Sequence, residues 1–307
     1  MDKELIFRDG IPIEKGVVLT KEYLDANQEL FTNYLNYWLL FPDLFLDTIQ
    51  DSEDAKNFHL FPFQRIALRA SMRYRYHYFT ATRATSKSFT AYLSSIVRAV
   101  LLPRSNIMIA SEVKGTVIKI AEAKFEEIFR HWPLLRKELA TRTEDGKTGE
   151  KKSGNYYELH FKNGSNITVV SKDTSRGLRA TAAIIEECAL VDETSYNEVL
   201  LPQMNIKRRE VDGTLNQEEP SSPQTFITTA AEKTVFMYSK LIECAINAVL
   251  RPQESFVWGV SYEIALHYGL LDKATILDQR YSNTMNEESF ARKLLREYIG
   301  IYTKKVF

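Results

Sequence analysis

Residues Tyr76 to Ala91 read YHYFTATRATSKSFTA. An apolar run leads into a short polar turn, then Ser86-Lys87-Ser88, then an amphipathic stretch. A phosphate-binding loop needs this order. A strand delivers the chain, a turn wraps the phosphates, a lysine reaches the β/γ-phosphates and a hydroxyl binds Mg²⁺. The helix that follows points its N-terminus, with its unpaired N–H groups, at the anion. The usual pattern, G-x-x-x-x-G-K-[ST], has glycine at the two positions held here by Ala81 and Ser86. Backbone N–H groups cradle phosphate, so both residues are tolerable where their backbone angles allow it. On this reading Ala81, Thr82, Arg83, Ala84, Thr85, Ser86, Lys87 and Ser88 form a nucleotide-binding loop. The bland alternative is a surface turn before a helix, because Ser-Lys-Ser is a frequent triplet.

The flanking sequence supplies context. Lys21 to Leu40 and Pro62 to Met72 have helical apolar spacing, the second with proline in its first turn. Lys87 to Leu101 continues as a helix, and Asn106 to Ala110 (NIMIA) reads as a buried parallel strand. Glu112 to His131 is a long amphipathic segment, and Thr141 to Gly154 reads as a loop. Tyr156 to Phe161 and Ser165 to Val170 flank Asn163-Gly164, a hairpin signal in which Asn-Gly supplies positive φ angles. Ala182 to Ile185, Thr225 to Thr229 and Phe256 to Val260 are further central strands, with a helix over Val235 to Leu250. Asn205 to Pro223 is charged and Pro/Gly-containing, an expected exposed excursion. Helices are expected over Asp272 to Tyr281 and Asn286 to Tyr298. Strands alternating with helices predict an α/β fold with a parallel sheet covered on both faces. Ligands of such sheets bind beyond the carboxyl ends of the strands.

Ala182 to Glu187 (AAIIEE) is an apolar strand ending in two carboxylates. Beside a phosphate loop, Glu186 is placed to serve Mg²⁺ with Ser88, and Glu187 to orient the attacking water. Mg²⁺ takes few carboxylates and completes its shell with phosphate oxygens and water, so one or two acids suffice. The bland alternative is a strand ending in solvated acids. Thr228-Thr229 ends the next strand, where hydroxyls can sense the γ-phosphate; Gln64 offers a carboxamide to an adenine edge. Arg83, Arg176 and Arg179 are candidate arginine fingers, with Arg179 favoured as a surface charge.

Lys+Arg and Asp+Glu are both 40, so net charge does not point to a polyanionic partner and does not exclude one through local patches. Lys151-Lys152 and Lys207-Arg208-Arg209 are such patches, with Lys114 a weaker one. Two cysteines, Cys188 and Cys244, make a disulfide framework improbable and fit a reducing cytosol. MDKELIFRDG carries no signal-peptide pattern. No stretch approaches the roughly 20 apolar residues of a membrane span.

Taken in order, these motifs resemble the ATPase domain of the tailed-phage large terminase subunit. The resemblance runs from about Phe61 to about Gly300. Phe63-Gln64-Arg65 matches the family's Gln-bearing segment. Arg83 stands four residues before Lys87, as an Arg often does in the family loop. Ser175-Arg176-Gly177 matches an Arg-Gly pair, Ile184 to Ala189 the acidic strand, and Thr228-Thr229 the coupling motif. Glu287 to Tyr298 is similar to the acidic-aromatic segment that ends the family's ATPase region. Two departures stand out: the loop lacks glycine, and the metal-side acid is Glu186 where the family usually has Asp.

The resemblance implies a three-layer P-loop NTPase fold of the ASCE type. It divides the chain into an N-terminal helical or lid segment (1–60), an ATPase core (61–261) and a helical segment leading towards an absent nuclease domain (262–307). It also implies an ATP- and Mg²⁺-dependent motor in the host cell cytoplasm, moving double-stranded DNA into a procapsid. Its implied partners are the portal protein, the small terminase subunit and further copies of itself in a ring. The alternatives are a helicase-like, nucleic-acid-stimulated ATPase and a degenerate, non-hydrolysing assembly module.

Overall fold

The computed structural model describes residues 5–8, 11–14, 21–50, 58–111, 116–140, 149–153, 156–171, 177–217, 219–229, 235–274, 276 and 278. In chain order the strands are β1 (Leu5–Arg8), β2 (Ile11–Glu14), β3 (Tyr76–Ala81), β4 (Asn106–Ser111), β5 (Glu150–Lys152), β6 (Tyr156–His160), β7 (Asn166–Ser171), β8 (Ala182–Glu186), β9 (Gln224–Thr228) and β10 (Ser255–Val260). The α-helices are α1 (Lys21–Ala26), α2 (Gln28–Leu40), α3 (Pro42–Thr48), α4 (Pro62–Arg73), α5 (Lys87–Leu101), α6 (Thr116–His131), α7 (Pro133–Lys137), α8 (Val235–Leu250) and α9 (Tyr262–His267). Among the described residues no helix is long and apolar enough to cross a membrane.

Eight strands form one sheet in the order β10-β3-β9-β8-β4-β7-β6-β5. Pairing is parallel from β10 through β7 and antiparallel from β7 to β5. Each central strand is buried on both faces, which explains its uninterrupted apolar run. Period two sends Ala182 and Ile184 of β8 into the cluster under α5 and α6, and Ala183 and Ile185 into the cluster under α8. Ile107 and Ile109 of β4 divide from Met108 and Ala110 in the same way. The result is a three-layer α/β arrangement.

Several expectations need correction. The helix expected over Lys21 to Leu40 is two helices, α1 and α2, separated at Asn27, whose Nδ2 donates to the Tyr23 carbonyl at 2.8 Å. The hairpin between β6 and β7 takes positive φ at Gly164 (81°) but not at Asn163. Asn163 instead donates from Nδ2 to the Ala99 and Val100 carbonyls (2.8 and 3.1 Å), tying the hairpin to the end of α5. Lys151 and Lys152 lie on β5, at the edge of the sheet, where a loop was expected. Lys114, Arg176 and the expected helix over 286–298 lie outside the described residues.

The segment 205–223 is irregular, as its composition suggests, yet it is anchored. Arg208 is 4% exposed and donates to Glu219 Oε2 (2.7 Å), both Glu210 oxygens (2.5 and 3.0 Å) and the Pro103 carbonyl (2.9 Å). Glu219 in turn accepts from Arg98 of α5 at 3.1 Å. Removing one partner from such a network leaves a buried charge uncompensated. Arg208→Ala is therefore expected to lower unfolding stability in urea by about 3 kcal/mol, with Arg208→Lys recovering little, because a single ammonium cannot reproduce the forked contacts.

Candidate active site

β3, β9 and β8 stand side by side, so three sequence-distant segments leave the sheet at one edge. After β3 comes the loop 82–86, after β9 Thr229, and after β8 Glu187. β9 thus stands between the loop strand and the acidic strand.

The loop forms without glycine by placing two ordinary residues in the left-handed region, Ala84 at φ 65° and Ser86 at φ 54°. An L-residue there costs about 1–2 kcal/mol because Cβ crowds the next carbonyl. Ser86 occupies the second glycine position of the usual motif. It caps α5 by position, makes no side-chain cap bond, and leaves the first-turn N–H groups for an anion. Thr85 closes the turn by donating from Oγ1 to the Thr82 carbonyl at 2.7 Å. Lys87 Nζ donates to the same carbonyl at 3.1 Å. Burial holds the Lys87 amine down to about 8, against the nearby Glu187 and Glu186 charges, which raise it, and Arg83, which lowers it further.

Glu186 is buried at the end of β8, where desolvation raises its pKa. The Tyr92 hydroxyl donates to its Oε2 at 3.4 Å, and the nearby Ser88 hydroxyl draws the pKa back down against the burial. The hydroxyl and carboxylate expected to serve one cation are thus near enough for one to shift the other. Glu187 turns the chain away from β8 at φ 47°. Its Oε2 accepts from the Thr229 N–H (3.1 Å) and Thr229 Oγ1 (3.0 Å). Thr228 Oγ1 is 3.4 Å from the same oxygen, but it has a 2.8 Å acceptor in the Thr229 carbonyl. The Thr pair therefore touches the second acid directly.

Arg83, Ala84, Ser86, Lys87, Ser88, Glu187 and Thr229 line one cavity of about 510 Å³, a size typical of small-ligand sites. Phe89 and Leu190 add apolar wall, and Lys124 of α6 adds a cation that the motif reading missed. Its only trace in the sequence is a place beside the buried stripe of Ala121, Phe125 and Ile128. Arg83 is exposed at the cavity mouth, whereas Ala81 and Thr82 are buried beneath the loop.

Other candidates lie elsewhere. Gln64 is 2% exposed, and its Oε1 accepts from the Phe61 N–H at 2.9 Å, capping α4. Its nitrogen is the group left for a base edge. Arg179 is exposed. Of the basic clusters, Lys152 pairs with Glu122, Lys207 with Gln217 (3.4 Å), and Arg209 with the Gly213 carbonyl (2.9 Å). The expected DNA-facing role does not suit Arg208, whose guanidinium is spent inside the network above. That network sits beyond the C-terminal end of α5, opposite the loop.

Two outcomes follow from this geometry. Ser86→Gly should stabilise the chain by about 1 kcal/mol in urea unfolding, because glycine adopts φ 54° without the Cβ clash. Phosphate needs the charged amine, and free Lys87 loses its proton above about pH 8. Affinity for ADP should therefore fall as pH rises through about 8, with net proton uptake on binding in calorimetry across buffers of different ionisation enthalpy.

No protein-family model matches the chain, and no curated protein matches it in sequence. Solved structures do match. The large terminase ATPase domain of Thermus phage P74-26 aligns with a TM-score of 0.54 and 13% identity, over 81% of this chain and 99% of that one. The large terminase from a thermophilic bacteriophage aligns with a TM-score of 0.52 and 13% identity, over 77% of this chain and 53% of that one. The chain therefore spans about half the length of that second protein. With β9 between the loop strand and the acidic strand, and helices on both faces of the sheet, the chain has the three-layer α/β fold of the phage large-terminase ATPase domains.

Proposed function

We propose that this chain is an ATP-hydrolysing motor domain of the large-terminase kind, coupling turnover to translocation of double-stranded DNA into a procapsid. The observation that carries the reading is the convergence of Lys87, Ser88 and Glu187 on one cavity, with Glu186 buried at the end of the same acidic strand. Pure binding needs no second acid, and here that acid is held in place by Thr229.

Phosphoryl transfer depends mainly on positioning and charge stabilisation. Lys87 and the open N–H groups at the start of α5 hold the phosphates. The donor set suits Mg²⁺: a hydroxyl on the cavity wall and one carboxylate near it are the few protein ligands this cation takes beside phosphate oxygens and water. When bound, Mg²⁺ neutralises charge on the phosphate oxygens. Glu187 uses Oε1, the oxygen that Thr229 leaves open, to orient the attacking water. Arg83, with Arg176 as a further candidate, stabilises the charge of the transferring group. Gln64 reads the adenine edge with its remaining nitrogen. Thr228 and Thr229 form the coupling pair, linking β9 to the water-orienting acid.

Duplex DNA, the portal protein, a small terminase subunit and a ring of further copies complete the proposed assembly. Lys151, Lys152, Lys207 and Arg209 are the proposed DNA-contacting cations. Contacts of this type follow phosphates and weaken with salt.

The reading is tested by phosphate release from ATP with Mg²⁺, with and without duplex DNA. Lys87→Ala should abolish turnover, and Glu187→Gln should lower kcat by about 100-fold or more while leaving ATP binding near wild type. Unchanged turnover in Glu187→Gln removes the water-orienting role. Nucleotide binding with no turnover in any assembly assigns the chain to a non-hydrolysing module. ATP-driven strand separation favours the helicase-like alternative.

A further inference from the structure

Ser88 and Tyr92 lie one helical turn apart on α5, so their side chains share a face. Both reach Glu186. Tyr92 is fully buried, and its ring meets Phe125 of α6 edge-on, with centroids 5.1 Å apart and planes at 85°. Tyr157 of β6 stacks on Phe125 at 5.5 Å. The hydroxyl therefore stands on a rigid aromatic column that runs from the sheet's antiparallel portion to the acidic strand.

This column addresses a specific problem. Glutamate has one more rotatable bond than aspartate, so a metal-side Glu is less fixed by its own backbone. Ser88 cannot supply the missing constraint alone, because its oxygen is the group expected to turn towards the cation. We propose that Tyr92 is a positioning residue that holds Glu186 in the orientation needed for a nucleotide-bound divalent cation. The inference rests on the ATPase reading and adds to it a residue that touches neither nucleotide nor cation. Groups of this kind, one shell behind a ligand, typically change metal affinity by about 10- to 100-fold when removed.

Tyr92→Phe keeps the ring, its burial and its contact with Phe125, and removes only the hydroxyl. The measurement is ADP affinity by calorimetry, once without divalent cation and once across a Mg²⁺ titration. The variant should bind ADP without cation as wild type does, and should need about tenfold more Mg²⁺ to reach the same enhancement. Turnover measured alongside should show a raised Mg²⁺ requirement with kcat largely recovered at saturating Mg²⁺. An unchanged Mg²⁺ requirement in the variant overturns the inference, as does an equal loss of cation-free ADP affinity, which would mark general damage to the loop. The two readings fail differently. If ADP binding to the wild-type chain does not respond to Mg²⁺, the ATPase reading falls and takes the Tyr92 role with it. If wild type responds and Tyr92→Phe responds identically, only the Tyr92 role falls.

Discussion

The burial of α5 is the constraint on which the rest of the structure depends. Thirteen of its fifteen residues are buried, so it behaves as a core element and not as a surface helix. Every polar group on it must then find a partner inside the protein. Thr90, Ser94 and Ser95 turn back onto the Ser86, Ala91 and Tyr92 carbonyls. Arg98 reaches Glu219, and Tyr92 reaches Glu186. Lys87, with no carboxylate in hydrogen-bond contact, rests on the Thr82 carbonyl. The groups at the N-terminal end are offered to a ligand, and those at the C-terminal end fasten the 205–223 segment. One buried cylinder thus serves as both binding platform and structural anchor.

The loop shows how a fold tolerates the loss of its signature residue. What the phosphate cradle requires is a left-handed backbone at particular positions, and glycine is only the least costly way to obtain it. Here Ala84 and Ser86 adopt those angles and carry the strain, which the packed strand before them and the buried helix after them hold in place. A search for two glycines passes over this loop, although Ser86, at one of the two glycine positions, takes the left-handed angle.

Much of the architecture was legible because burial on both faces writes a simple pattern. AAII, NIMIA and TFITT could be read as central strands, and the structure places them in β8, β4 and β9, with β9 ending one residue earlier at Thr228. What escaped reading depends on partners distant in sequence. Arg208 read as one of three cations in a basic patch, and nothing local announced Glu219 or the Pro103 carbonyl. Gln64 was legible as a polar group before the first sheet strand, but not as the cap of its own helix. Lys124 and Tyr92 were hidden for a related reason: each sits in an ordinary amphipathic pattern, and only packing shows that one faces the cavity and the other an acid. The break at Asn27 was missed because apolar spacing continues across it and the Asn27 N–H still donates to the Tyr23 carbonyl at 3.1 Å.

The strand order also governs when the site comes into existence. β3 carries the loop, yet both of its neighbours arrive late in the chain: Tyr76 is in register with Gln224 on one side and Ser255 on the other. A nascent polypeptide that has passed Glu187 already contains the lysine, the hydroxyl and both acids, but β3 has no strand beside it and the acidic strand has no bridge to it. Pairings so distant in sequence form slowly, after local structure. The meeting of these side chains is therefore postponed until synthesis has delivered β9 and β10, and an incomplete chain on the ribosome holds the cavity's walls in pieces.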